Sequence, residues 1–385
     1  MREKIVIIGG GFAGLQLARN LNNQGKYKVM VIDKMNHHMF QPLFYQVATG
    51  RIEPSNISFP FRKIFQKSKN IQFRMTEVKK ILPEENKIIG EDGVFTYDKL
   101  VIATGCKTNF FGNEKMQDLA LGMKNTQEAI TIRNHILMTF EKMIIERKTS
   151  DDGNWNLVIV GSGPTGVELA GAFSEMKSSI LPRDYPRMNF SDLNIILISS
   201  SDKPLDAMSQ ESQDAAEKYL LQLGVNFMKN ERVTDYDGEI IYMKSGNSIP
   251  TNNVIWAAGV TGNIIDDFNK ENLVKNRYIV DRYNRVKGFD NIFAIGDIAY
   301  METPKYPQAH PQLANVAINQ GKNLARNFKK NSEKDWEHYE YTDRGSMATI
   351  GKHRAVVDLP KFKFQGFLAW YFWMFLHLML ILSVR

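Results

Sequence analysis

Glycine turns and the acids that follow apolar strands are the residues of this chain whose types and spacing could do chemistry. Gly9-Gly10-Gly11-Phe12-Ala13-Gly14 follows an apolar run, Lys4 to Ile8, and opens an apolar-periodic stretch, Leu15 to Leu21. In such a strand, turn and helix, Gly9 permits the tight turn, Gly11 lets backbone amides approach a pyrophosphate, and Gly14 lets helix and strand pack closely. The phosphates then rest on the positive end of the helix. A second run, Met30-Val31-Ile32-Asp33, ends in an acid 24 residues after Gly9, near the ~20 expected of a carboxylate that binds a ribose. A third, Ile292-Phe293-Ala294-Ile295-Gly296-Asp297, places a carboxylate at a sheet edge, where it could accept hydrogen bonds from the hydroxyls of a bound sugar chain. The other reading of Asp297 is a helix cap, since Pro311 and a helical run, Gln312 to Phe328, follow. The residues alone leave both open.

The elements that must position these groups occur twice. Asn156 to Val160 is again an apolar strand, and Gly161-Ser162-Gly163-Pro164-Thr165-Gly166 again opens a helical stretch, Val167 to Met176. The first turn is followed 96 residues later by Leu100-Val101-Ile102-Ala103-Thr104-Gly105, and the second 98 residues later by Val254-Ile255-Trp256-Ala257-Ala258-Gly259. Two copies of one supersecondary plan at nearly equal spacing read as two complete dinucleotide-binding domains. Between the landmarks, Ile71 to Met75, Lys87 to Ile89 and Val94 to Tyr97 in the first copy read as strands of a meander insertion, as do Glu239 to Met243 and Ile249 onward in the second. A helix at Ser209 to Leu223 ends at Gly224 and hands over to a strand, Val225 to Met228. The fold class is α/β: two Rossmann-type domains with β-meander insertions, plus an apolar C-terminal helix.

A length of 385 residues suggests about two or three domains. A content of 43% hydrophobic and 24% charged residues excludes general disorder. The formal charge of +7 favours acidic partners, among which nucleic acid ranks last because no basic tail or nucleic-acid motif accompanies it. The single cysteine, Cys106, excludes an intramolecular disulfide and any two-cysteine redox or metal site. Seven scattered histidines give no ligand spacing, so no metal is expected. A first strand reached by residue 4 leaves no room for a leader, so a cytoplasmic start is expected.

The two glycine motifs, the Ala-Thr-Gly segment and Gly296-Asp297 together resemble the two-dinucleotide-binding-domain flavoproteins. Within them, Phe40 to Ala48, Gly163 to Ala170, Leu181 to Pro186 and Ala314 to Gly321 resemble type II NADH dehydrogenase, the single-subunit, non-pumping NADH:quinone oxidoreductase of respiratory electron transport. The resemblance implies that residues 1–117 and 288–345 bind FAD, that 118–287 bind the nicotinamide cofactor, and that 346–385 associate with a membrane. It implies that Asp33 binds the adenosine ribose of FAD and Asp297 its ribityl chain. Gly9, Gly11, Gly14, Thr104, Gly105, Gly296, Gln312 and Ala314 would line the flavin. The helix from Gln312 would point its positive end at the flavin, favouring the charge of its reduced form. Gly161, Gly163, Gly166, Ser199, Ala258 and Gly259 would hold NADH. Hydride would pass from nicotinamide to flavin, and the electrons then to quinone, the cofactor doing the chemistry and the protein orienting it. Glu168 would be the catalytic side chain, orienting the carboxamide or relaying a proton; its other reading is an acid favoured by the macrodipole in a helix's first turn. Asn315, Asn319 and Gln46 would line a quinone pocket. The enzyme would sit on the cytoplasmic face of the cell membrane as a peripheral homodimer.

Two departures from that family's pattern affect these expectations. Ser199, followed by Ser200, Ser201, Asp202 and Lys203, stands where a glutamate usually excludes a 2′-phosphate, so NADPH is expected to be accepted as well as NADH, unless Asp202 or a serine serves the ribose. Asn315 and Asn319 replace glutamines, one methylene shorter, and two amides four apart could also be a solvated helix face. At the other end, Phe367 to Val384 is an apolar run of 18 residues interrupted by His377 and Ser383, with four aromatics, Trp370 to Trp373, near its start and Lys361, Lys363 and Arg385 flanking it. That length is the lower edge for spanning a bilayer, and the pattern also suits a helix dipped into an anionic surface or one buried in a core or dimer. A soluble ferredoxin-type reductase fits the cofactor motifs without the tail. A redox-linked nucleotide-binding interaction module is the reading from another class. Sulfide:quinone oxidoreductases and disulfide reductases need paired cysteines that this chain lacks.

Overall fold

A computed structural model describes residues 2–146, 155–265 and 268–382. The helices that position the site are α1 (Phe12–Asn20), α2 (Phe44–Ala48), α3 (Pro164–Glu175), α4 (Gln210–Gln222), α5 (Ala314–Lys329) and α6 (Phe367–Leu382). The strands that carry them are β1 (Glu3–Ile8), β2 (Tyr27–Asp33), β3 (Ile71–Met75), β4 (Lys99–Ile102), β5 (Asn156–Val160), β6 (Asn194–Ile198), β7 (Asn226–Met228), β8 (Asn253–Trp256), β9 (Ile292–Ala294), β10 (Ser346–Thr349), β11 (Ala355–Asp358) and β12 (Lys363–Gly366).

The chain forms two compact units. The first comprises 1–39, 58–107 and 260–342. Its five-stranded sheet has the order β9-β4-β1-β2-β3, and every neighbour is parallel. Ile5, Ile7, Leu100, Val101, Ile102 and Phe293 are fully buried, as strands covered on both faces must be. Helix α1 leaves β1 through the glycine turn and packs on α5, where a Cβ at Gly321 would stand 2.5 Å from the Ala13 carbonyl oxygen. Ile71 to Met75, expected in the meander, is instead the outer strand β3, because Val31 and its neighbours on β2 offer a parallel edge that β3 completes. The meander is Val78–Leu82, Lys87–Gly90 and Gly93–Thr96; its last hairpin turns at Glu91-Asp92, with Gly93 already in the strand and paired with Gly90.

The second unit comprises 40–57, 108–259 and 343–385. Its parallel sheet has the order β7-β6-β5-β8, and a small antiparallel meander, Val233–Tyr236, Ile240–Met243 and Ser248–Pro250, shares a core with it through Tyr236, Ile241, Met243 and Trp256. Ser209 caps α4 by accepting the Ser212 N–H, and Gly224 at φ +75° ends it, as expected. Antiparallel β10-β11-β12 leads into α6. Among the described residues, no helix is long and apolar enough to cross a membrane. Ser383, Val384 and Arg385, the end of the apolar run and its basic flank, lie outside them.

The segment boundaries differ from those read in the sequence. Residues 260–287 lie in the first unit, because Ile265, Phe268, Tyr278 and Val286 share one core with Val6, Ile8 and Ile292. A boundary at 287 runs through that core. Residues 40–57, which carry Gln46, belong to the second unit.

Candidate functional site

In the first unit the glycine turn divides its labour between packing and opening. A Cβ at Gly14 would strike the Gly9 carbonyl, and one at Gly9, where φ is +103°, would strike that of Ala103. A Cβ at Gly11 would meet nothing within 4 Å, so this backbone faces open space at the N-cap of α1, whose amides have no side-chain cap. That is the shape a pyrophosphate requires. Asp33, at the end of β2, accepts the Gly10 N–H at 2.6 Å and the Met35 N–H at 2.8 Å. Burial raises its carboxyl pKa, and these N–H donors oppose the rise. Gly9, Asp33 and Thr104 line one cleft of about 130 Å³ with Val78 and Ile265.

The far side of this unit's site is held by backbone contacts. The Thr104 hydroxyl donates to the Asn263 carbonyl at 2.6 Å, and the Asn263 N–H to the Gly105 carbonyl at 3.0 Å. Gly296, at φ +76°, donates its N–H to buried Gln320 of α5 at 2.7 Å. Asp297 lies in a short 3-10 turn and does not cap α5, whose N-cap is Leu313. Its carboxylate accepts the Cys106 thiol at 3.1 Å, and its carbonyl accepts the Gln312 side-chain amide at 3.0 Å. Helix α5 therefore starts at Ala314, two residues later than expected, and Gln312 serves as a brace before it. Asn315 and Asn319 are half-buried and bonded to each other, with the Asn319 amide donating to the Asn315 side-chain oxygen at 2.7 Å and to its carbonyl at 2.8 Å.

The second unit repeats the cradle. A Cβ at Gly166 would strike the Gly161 carbonyl, one at Gly161 would crowd Ala257 and Ala258 at 2.6 Å, and one at Gly163 would meet nothing within 4 Å. Gly259 accepts the Asn109 N–H at 3.1 Å. Ser199 is only 3% exposed, and its hydroxyl is shared with Ser162 at 2.6 Å while accepting the Ser201 N–H at 3.1 Å. It braces the turn instead of presenting a free hydroxyl.

Glu168 is the fifth residue of α3, beyond the first turn, which removes the dipole as its explanation. Its carboxylate accepts the Thr349 N–H of β10 at 3.5 Å. The Thr349 hydroxyl and Tyr45 hydroxyl are 3.0 Å apart, and Gln46 donates to Tyr45 at 3.0 Å. Burial pushes the Glu168 carboxyl up to about 8, and burial also raises the Tyr45 phenol. Near neutrality Glu168 is thus an acid that carries its proton, at the end of a row of hydroxyls. On α6, Trp373 stacks on His377 with centroids 4.0 Å apart and lies 6.5 Å from Tyr45, while Phe40 meets His377 edge-on at 6.1 Å.

Several of these residues escape sequence reasoning. His38, 1% exposed, pins the Gly10 carbonyl at 2.9 Å, and burial lowers its pKa to about 4, so the neutral ring donates. Buried Arg277 donates to the carbonyls of Ala299 and His310. Thr349 lies 181 residues from Glu168 in sequence, and no local pattern links them.

This doubled α/β cradle is the architecture of a recognised class. Residues 3–321 match the pyridine nucleotide-disulphide oxidoreductases, and residues 344–385 match the NDH2 C-terminal domain. The type II NADH:quinone oxidoreductase Ndh of Mycobacterium tuberculosis is 31% identical over 100% of this chain and 85% of its own length. The type II NADH:quinone oxidoreductase of Staphylococcus aureus is 28% identical, over 92% of this chain and 89% of that protein. The structure of NDH2 from Plasmodium falciparum in complex with NADH superposes with a TM-score of 0.92 at 22% identity, covering 99% of this chain and 95% of that one, a likeness of fold. The chain belongs to the type II NADH:quinone oxidoreductase family.

Proposed function

We propose that this protein oxidises NADH and reduces a membrane quinone through bound FAD, in a non-pumping reaction. The observation that carries this reading is the doubled cradle, in which Gly11 and Gly163 each leave open space at an uncapped helix N-terminus. Two open cradles fit two dinucleotides. FAD supplies the exchange between a two-electron hydride donor and the quinone.

The residues of the chain bind, orient and hold protons. The first unit takes FAD, with the Gly9, Gly11 and Gly14 turn at the pyrophosphate, Asp33 at the ribose and Asp297 at the ribityl chain. Thr104, Gly105, Gly296, Gln312 and Ala314 shape the flavin end, and the free amides at the start of α5 favour negative charge there. The second unit takes NADH on Gly161, Gly163 and Gly166, with Ala258 and Gly259 behind. Glu168, protonated near neutrality, holds the proton that quinone reduction consumes, and Thr349 and Tyr45 supply hydroxyls along its route. Gln46, Asn315 and Asn319 offer amides to the quinone. Because Asn319 spends its donor on Asn315, the Asn315 amide nitrogen is the free donor of that pair.

The exposed Phe367, Leu368, Tyr371, Phe375 and Leu382 of α6 support peripheral membrane attachment; on this reading the attachment is at the cytoplasmic face and the working unit is a homodimer. Purified holoprotein should turn over NADH with a short-chain quinone and leave ferredoxin unreduced. Reduction of ferredoxin without quinone turnover would replace this reading with the soluble reductase, and no turnover with either acceptor would leave the interaction module.

A further inference from the structure

We infer that Glu217, aided by Asp214, fixes the preference of the second unit for NADH by holding Lys203 away from the position of a 2′-phosphate. The inference rests on the reading of that unit as the NADH site. A dinucleotide-binding sheet sets the adenosine ribose beside the residue that ends its second strand and tells NAD from NADP by the charge met at the 2′ position. Here that residue is Ser199, after β6. On composition, Ser199-Ser200-Ser201-Asp202-Lys203 invites a phosphate, with three hydroxyls and an ammonium group.

The geometry withdraws the invitation. Ser199 is buried against Ser162. The Lys203 ammonium is turned onto α4, where it pairs with Asp214 at 3.1 Å and more closely with Glu217. Lys229, the cation at the end of the neighbouring strand, sits 3.6 Å from Asp202 and 3.9 Å from the other oxygen of Glu217. Asp206 adds a carboxylate, bonded by the Ser201 hydroxyl at 3.1 Å. Three carboxylates, Asp202, Asp214 and Glu217, thus pair with the ammonium groups of Lys203 and Lys229; with Asp206 beside Ser201 the segment holds four acids against two lysines, and the adjacent Glu231 and Arg232 cancel. A phosphomonoester carrying about −1.5 to −2 charges would enter a region already negative. Glu217 is central because it engages both lysines, and its side chain is only 18% exposed, which weakens screening by salt. The acceptance of NADPH expected from the lost glutamate therefore gives way: the discrimination has moved from the end of the strand to α4.

The test is steady-state kinetics of the full-chain holoenzyme with NADH and NADPH, on wild type, E217Q, D214N and E217Q/K203M. Wild type should prefer NADH by about a hundredfold or more in kcat/KM. E217Q should raise kcat/KM for NADPH by about tenfold, through KM and not kcat, and leave that for NADH within about twofold. D214N should give a smaller gain of the same sign, and adding K203M to E217Q should abolish it. Competitive inhibition by adenosine 2′,5′-bisphosphate should tighten in E217Q, while that by 5′-AMP should not change. An unaltered NADPH to NADH ratio in E217Q, or a gain that survives K203M, overturns the inference. A wild type that fails to oxidise NADH removes the site reading itself, and the inference with it, which the ratios of an active enzyme cannot do.

Discussion

Glu168 shows how one residue's environment sets its chemistry. Its folded pKa, raised by burial to about 8 from an ordinary 4.5, means that the folded state holds a proton the unfolded state has lost between those values. Stability from this group is full below pH 4.5 and falls as pH rises towards 8. E168Q, which cannot ionise, should therefore lose less melting temperature than wild type between pH 5 and pH 8, measured by thermal unfolding across that range. The same variant should slow quinone-dependent turnover on the order of tenfold to a hundredfold and lose the alkaline limb of its pH profile. The glycines divide in the same way. G14A must move the Gly9 carbonyl and should cost roughly 1–3 kcal/mol in urea unfolding, an overpacking penalty. G11A has room in the protein itself, so its apoprotein should unfold at the midpoint of the wild-type apoprotein while FAD is lost, read as flavin content after gel filtration.

At the scale of elements, the C-terminal sheet is tied to α4 chiefly by Asp358, with the exposed Lys363–Glu211 pair beside it. Asp358 accepts the Ser209 N–H at 2.6 Å and the hydroxyls of Ser209 and Ser212 at 2.9 and 2.6 Å. D358A should cost about 1–3 kcal/mol in urea unfolding, because three donors lose a charged acceptor. Asp358 could not be singled out from sequence, since its partners lie about 150 residues away in an unrelated helix. The glycine turns, by contrast, were legible down to the residue, because strand, turn and helix follow one another locally and each demands a particular residue type. The edge strand Ile71–Met75 misled, since a short apolar run next to two others looks the same whether it pairs in a meander or beside β2. The place of Glu168 on α3 was legible, but the burial that raises its pKa was not, because β10, from a distant part of the chain, packs beside it and the Thr349 bonds only oppose the rise. The burial of Ser199 and the pairing of Lys203 were not legible in sequence, because Ser162 and the partners of Lys203 lie on the neighbouring turn and the next helix.

Across the whole molecule, the proposed attachment to an anionic membrane surface rests on the formal charge of +7 and the exposed apolar side chains of α6. Binding to vesicles containing anionic lipid should fall when Leu368 and Phe375, 74% and 58% exposed, are both changed to Asp. Turnover with a water-soluble quinone should persist in that variant. Electron flow from NADH through flavin to quinone can be followed by anaerobic stopped-flow on the purified holoprotein. NADH should bleach the flavin absorbance rapidly, and a short-chain quinone added afterwards should restore it rapidly. Bleaching that a quinone cannot reverse would contradict the account and move the acceptor to a protein partner.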